Sequence, residues 1–292
     1  MADRQWNGAT MGNGWMHRNL IRLLRFTPLW LVYGFSDIFV VPFCAVFNHS
    51  GKVAYRFYRK HLHYSAIRSF GMTFRNHSLF SHVVIDKFAM FAGKQFRVDH
   101  IGIDYFKMLE AKEEGFIQLS AHVGNYEIAG YTIKMEKKGI HAVVFSSEKE
   151  TVMNGRSNLF GKTHVSMIPL QADMSHLFAI DQALSQGDVV SLPADRFMDG
   201  SRFLTVDFLG QPAKFPQGPF SLASMRGVDA LAVNVMKTGF KKYRIHMALL
   251  PYDKDAPRKV QIEQLGKAYA AELENMVRQY PAQWFNFFDF WA

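Results

Sequence analysis

The chain is expected to fold as an α/β protein, with a mostly parallel or mixed central sheet flanked by helices. An N-terminal membrane-associated helical segment precedes it. Three observations lead there. From Gly115 onward, short strand-like runs alternate with helix-like runs, the pattern of helices packed on a sheet. Residues 53–100 have helical character, with Tyr, Phe and Arg mixed throughout. Residues 27–47 form an apolar run of bilayer-spanning length with a single charge, Asp37.

The elements follow in order. Residues 1–15 are rich in Gly and Asn and are expected to be loose. Arg18, Arg22 and Arg25 then recur at helical spacing among Leu20, Ile21, Leu23 and Leu24. The run 27–47 is interrupted by Pro28, Asp37 and Pro42, and basic residues flank both ends, so a positive-inside asymmetry is missing. A monotopic, re-entrant or hairpin helix in one leaflet is favoured over a true span. The run starts too late for a cleaved signal peptide, and no small-residue cleavage site follows it.

Strands are expected at 115–119, 142–145, 165–168, 188–192, 204–208, 230–235 and 243–250. Helices are expected at 127–138, 175–186 and 219–226. A last helix, 261–279, carries the apolar stripe Leu265, Tyr269, Leu273, Met276 and Tyr280 and is stopped by Pro281. The tail packs six aromatics between Trp284 and Trp291. It is expected to plug the core, to line an acyl pocket or bilayer surface, or to do both. The chain therefore divides into residues 1–100, helical and membrane-associated, and 101–292, the α/β domain.

Composition narrows the function. A chain of 292 residues can bury a large core, as one domain or one domain with an N-terminal appendage. Its 27 Phe and 15% aromatic content point to a lipid-facing surface or acyl pocket in addition to a Phe-rich core. The net charge of +9 calls for an acidic partner: anionic lipid, an acidic carrier protein or nucleic acid. Nucleic acid is set aside, because there is no zinc-finger spacing, no RRM-like aromatic motif and no long Lys/Arg run. One cysteine, Cys44, excludes an intramolecular disulfide and fits a cytosol-facing protein.

The stretch GFIQLSAHVGNYEIAG carries the chemistry. An apolar strand leads into His122, Gly124 and Asn125 allow a sharp turn, and Glu127 opens the next helix. Glu127 would hold one ring nitrogen of His122 protonated and leave the other to take a proton from a hydroxyl. The backbone N–H groups of Gly124 and Asn125, at a helix start, would stabilise an oxyanion. With 12 His and 25 acidic residues, chance supplies about one such spacing, so context matters. A second match, His176 to Asp181, lies inside a helical run, where five residues turn about 140° and the two side chains do not share a face. No covalent nucleophile is evident: no G-x-S-x-G elbow occurs, and Ser120 reads as structural. His61 and His63 lack a completing ligand, so no metal site is expected.

The segments HVGNYE, GDVVSLPADRFMDGSRFLTVDFLGQPAKFPQGPFSLA and YPAQWF, in this order, resemble the bacterial late lipid A acyltransferases, within the wider lysophospholipid acyltransferase superfamily. The resemblance covers residues 115–291 by motif and the whole chain by architecture. It implies a glycerolipid acyltransferase-like fold. It implies transfer of an acyl chain from an acyl-carrier protein or coenzyme A thioester to a hydroxyl of a membrane glycolipid such as a lipid A precursor, or of a lysolipid. No cofactor is implied beyond that donor, and the location implied is the cytoplasmic face of a bacterial inner membrane. On the resemblance, His122 matches the general base and Glu127 its partner. Asp195 and Arg196 match the motif that binds or orients substrate, with Arg156, Phe215 and Gly218 as further substrate-binding candidates. The tail FNFFDFW lacks the basic ending expected of lipid A enzymes, which leaves another lysolipid, an aminolipid or a pigment-like lipid open as acceptor. A thioesterase or lipid hydrolase using the same pair on water, and a non-enzymatic lipid-binding protein, are the alternative classes.

Overall fold

A computed structural model describes residues 14–133, 135–145, 165–171, 173–196 and 202–291. Five helices come first: α1 (Gly14–Phe26), α2 (Leu29–Phe35), α3 (Val41–Phe47), α4 (His49–Lys60) and α5 (Ala66–Phe91). A π-helical turn, Ser36–Val40, joins α2 to α3, so Leu29–Phe47 is one 19-residue apolar helix of mean hydropathy 1.8. It is the one helix among the described residues long and apolar enough to cross a membrane. The sheet then begins with β1 (Arg97–Ile101), followed by α6 (Ile103–Ala111), β2 (Phe116–Ser120), α7 (Glu127–Thr132), β3 (Ile140–Phe145) and β4 (Val165–Leu170). After these come α8 (His176–Ser185), β5 (Val189–Pro193), β6 (Phe203–Phe208), β7 (Gln211–Pro216) and α9 (Gly218–Arg226). The long strands β8 (Ala230–Gly239) and β9 (Lys242–Leu250) lead to α10 (Arg258–Gln279) and a 3-10 turn, Pro281–Gln283.

Seven strands form one sheet in the order β1-β9-β8-β2-β5-β3-β4. Every neighbouring pair is parallel except the hairpin β8–β9. β2 lies in the middle and is buried along its whole length, which explains why it reads as a continuous apolar run. Alternation sends its side chains to opposite layers. Ile117 and Leu119 meet α8, α9 and α10 on one face, while Phe116 meets α6 and α7 on the other. The strand near residue 204 is not part of this sheet, because it pairs with β7 as a separate antiparallel ribbon.

Several elements differ from the expected ones: α6 and β7 were not expected, and β3, β4 and β8 run longer. Helix α7 ends at Thr132 rather than at 138, and Lys138 instead donates to the carbonyls of Glu113, Glu114 and Gly187 at 2.6–3.3 Å. β1 was not expected at all. Its sequence, RVDHI, is short and polar and stands at the sheet edge, so it is a strand by virtue of pairing with β9 and not by an apolar pattern.

The apolar helix Leu29–Phe47 is two-faced. Leu29, Tyr33, Ser36, Val41 and Ala45 are buried, while Trp30, Phe35, Ile38, Phe39, Phe43 and Phe47 are exposed. Its charge is not stranded: Asp37 accepts from Ser78 at 2.7 Å and pairs with His82 at 3.0 Å, both on α5. Four residues further along α5, Asp86 is fully buried and gathers three donors. These are the hydroxyls of Tyr33 and Tyr243 and the ammonium of Lys237, the last at 2.5 Å. This cluster joins the N-terminal helix, α5, β8 and β9.

Removing one partner from a buried ion pair leaves the other charge without compensation. Asp86→Ala is therefore expected to cost about 3–5 kcal/mol, read as a fall in denaturant midpoint of the purified protein. Lys237→Met should cost less, because the Asp86 carboxylate left behind keeps the hydrogen bonds of both tyrosines. Equal stability of Asp86→Ala and the parent would refute this expectation.

Candidate active site

β2 and β5 are adjacent and parallel, with Ser120 opposite Pro193. Two residues beyond each strand end, the chain places His122 opposite Asp195. The Asp195 carboxylate takes the ring Nδ1 of His122 at 2.7 Å through one oxygen and the backbone N–H of His122 at 2.8 Å through the other. Asp195 is 2% exposed, so this grip is made away from water, whereas the His122 side chain remains 12% exposed and reachable. In open α/β sheets, ligands bind outside the carboxyl ends of strands, which is where this pair lies.

The electrostatics favour a neutral ring beside an ionised carboxylate. Burial lowers the His122 pKa below its ordinary 6.5, although the charge of Asp195 opposes that fall. Burial alone would raise the pKa of Asp195, but the charge and hydrogen bonds of His122, with Arg196 nearby, carry it below the ordinary value. Nδ1–H then donates to Asp195, and Nε2 is the basic nitrogen.

The expected partner is thereby corrected: the carboxylate on His122 Nδ1 is Asp195, not Glu127. Glu127 stands, as expected, at the first residue of the following helix, but its Oε1 pairs with Lys87 of α5 at 2.8 Å, with both side chains largely buried. The turn between them needs its glycine. Gly124 has φ +54°, and a Cβ there would fall 1.9 Å from the Val235 carbonyl oxygen. The oxyanion role expected of this turn is also corrected. The Gly124 N–H donates to the Gln283 carbonyl and the Asn125 N–H to the Val235 carbonyl, each at 2.8 Å, so neither is available to substrate.

Of the substrate-binding candidates, Arg196 lies beside the pair. Its Nη2 donates to the Phe285 carbonyl at 3.0 Å, and its guanidinium stands 5.6 Å from the centre of the Phe288 ring. Phe215 is a correction: it is fully buried among Phe208, Tyr269 and Phe290 as part of the core. Gly218 is the first residue of α9, with open space where a side chain would project. Arg156 lies outside the described residues.

The C-terminal tail proves to be part of the site's frame. Phe285 N–H donates to the His122 carbonyl at 3.0 Å, Trp284 bridges Val123, and Asn76 of α5 holds the carbonyls of Ala282 and Trp284. Trp284, Phe285 and Phe290 are buried, so the tail plugs the core, and Trp291 stacks on His61 at 3.5 Å. In the sequence this segment stood out as the YPAQWF part of the resemblance and as the start of an aromatic run, neither of which placed it beside His122.

Other His–carboxylate contacts are structural by position. His141 meets Asp188 at 2.9 Å and Ser166 at 2.7 Å, but across the amino ends of the strands, opposite to the candidate site. His176 accepts from the Gln171 N–H, while Asp181 pairs with Arg226.

Residues 64–292 match the family model of the bacterial lipid A biosynthesis acyltransferases. By class the protein is therefore an acyltransferase. The chain belongs to the bacterial lipid A biosynthesis acyltransferase family, and the match takes in α5 as well as the whole sheet. Among solved structures, the chain is similar to the 1-acyl-sn-glycerophosphate (LPA) acyltransferase PlsC from Thermotoga maritima, at 15% identity and a TM-score of 0.41, covering 92% of this chain and 99% of that one. No curated protein matches it.

A base must be neutral to work, so turnover should rise with pH through an apparent pKa below 6.5 and level off above it. Asp195→Asn should lower kcat by about 10²–10⁴-fold by disturbing the ring's tautomer. It should also move that limb further down, because the charge that raises the His122 pKa is gone. Steady-state rates from pH 4.5 to 9 test both. Gly124→Ala should abolish most activity, since the left-handed turn and the Val235 carbonyl leave no room for a methyl group.

Proposed function

We propose that this protein is a membrane-associated O-acyltransferase that moves a fatty acyl chain from an acyl thioester, on acyl-carrier protein or coenzyme A, to a hydroxyl of a membrane glycolipid such as a lipid A precursor. The observation that carries this reading is the His122–Asp195 pair, in which a buried carboxylate orients the ring at the carboxyl ends of two parallel strands. The ring donates from Nδ1 to Asp195 and meets Tyr126 edge-on, with ring centroids 5.8 Å apart.

In this reading, His122 Nε2 takes the proton of the acceptor hydroxyl. The oxygen attacks the thioester carbonyl, and the tetrahedral intermediate collapses with loss of the thiolate. The imidazolium returns its proton to that sulfur, so an ester forms, a C–S bond breaks and a free thiol leaves. Asp195 keeps Nδ1 protonated throughout and stabilises the positive ring.

The N-terminal region supports a bilayer location. Residues 1–85 hold ten Lys and Arg against two acidic residues, which places nearly all of the net charge of +9 there. The same region carries the exposed apolar face of Leu29–Phe47. Its other face is tied to α5 by Tyr33 and Asp37, so the helix lies along the protein and does not leave it. A helix held this way suits monotopic insertion in an anionic leaflet, here the cytoplasmic face of a bacterial inner membrane.

Mass spectrometry of total lipids tests the reading in cells with the gene, without it, and with His122→Ala. Loss of one acyl chain from a single lipid, in both deletion and variant, is the expected outcome and names the acceptor. Unchanged lipids, with free fatty acid released from a thioester by the purified protein, would place the same pair in a hydrolase.

A further inference from the structure

We propose that Lys87 is a positioning residue for the reaction, holding Glu127 and through it the segment from Gly124 to Glu127 against α5. The proposal rests on the acyltransferase reading above and adds a residue outside the expected site motifs.

Lys87 Nζ lies 2.8 Å from Glu127 Oε1, with the two side chains 12% and 7% exposed. In water such a pair contributes little, but in a site this enclosed it fixes two groups in one geometry. Glu127 begins α7, which has six residues and no side-chain hydrogen bond at its start. A helix of that length is marginal by itself, so its orientation must come from tertiary contacts. The residue before it, Tyr126, presents its ring edge-on to His122 at an interplanar angle of 72°. Shifting Glu127 therefore shifts Tyr126 against the base.

The anchor itself is rigid. Asp86, the residue before Lys87 on α5, is the fully buried carboxylate that binds Tyr33, Lys237 and Tyr243. Consecutive helical side chains point about 100° apart, so α5 grips β8 with one and α7 with the next. β8 in turn holds the other end of the catalytic segment. Val235 accepts the Asn125 N–H, and Gln283 hydrogen-bonds both the N–H and the carbonyl of Lys237 while accepting from Gly124. Both ends of the turn after His122 are thus referred to the Asp86–Lys87 step of one helix.

The test uses the full-length enzyme in mixed detergent–lipid micelles with an acyl thioester donor. It compares Lys87→Met, Lys87→Gln and Lys87→Arg, with Tm measured on each sample. A misplaced group of this kind costs about 10–100-fold, so Lys87→Met should lose that much kcat. KM for the donor should stay within about twofold, because ground-state binding is untouched. Lys87→Arg, which keeps the charge, should recover most of the rate. If Lys87→Met fails to fold, Lys87→Gln carries the same expectation. Retention of kcat within twofold in Lys87→Met or Lys87→Gln overturns the proposal. So does equal loss in Lys87→Arg, or a loss that follows Tm alone. An active His122→Ala would sink the acyltransferase reading itself. An inactive His122→Ala beside a fully active Lys87→Met sinks only this inference.

Discussion

The carboxylate of Asp195 holds His122 at two points, ring and backbone, and the site is organised around that contact. It forms because β2 and β5 run side by side in the same direction and both end at the same level. The next residue pair along reinforces it: Ala194 N–H donates to the Ser120 carbonyl at 2.9 Å, and Tyr269 of α10 donates to the same oxygen. With water excluded, the carboxylate fixes the tautomer of the imidazole and leaves its outer nitrogen basic.

A second constraint comes from the end of the chain. After α10, Pro281 starts a short turn, and the following residues run beside the loop after His122 as a short antiparallel partner. The aromatic tail then buries itself among Phe57, Phe208 and Phe215. Its apolar bulk keeps the backbone bonds to His122, Gly124 and Arg196 dry. The tail's aromatic density is thus a packing requirement of the site's frame.

The N-terminal helices meet the enzyme through polar contacts set in an apolar surround. Leu24, Leu29 and Tyr33 pack on Ile85, Phe88 and Ala89, and inside this small core lies the cluster around Asp86. One side of the helix Leu29–Phe47 is fixed to the protein, and the other is open apolar surface. That surface and the loop after His122 are both held on the same helix, α5.

Much of the architecture was legible in the sequence because burial leaves a periodic trace. The central strands announce themselves as apolar runs, and α10 as a stripe at helical spacing. The Gly124 turn shows as a glycine between a strand and a helix. His122 was marked by the same local pattern. What the sequence determined was the local setting of His122, at the end of an apolar strand and before a glycine turn and a helix. Tertiary structure alone decided which carboxylate serves the histidine. Glu127 is near in sequence, but its helix turns it toward Lys87, while Asp195 lies 73 residues further on and reaches His122 through strand pairing. The same holds for β1, a strand only by its partner, and for Phe215, whose motif position gave no sign of its burial. Local pattern reports the solvent side of a segment, whereas a hydrogen bond between strand ends depends on sheet order, which no short stretch of sequence encodes.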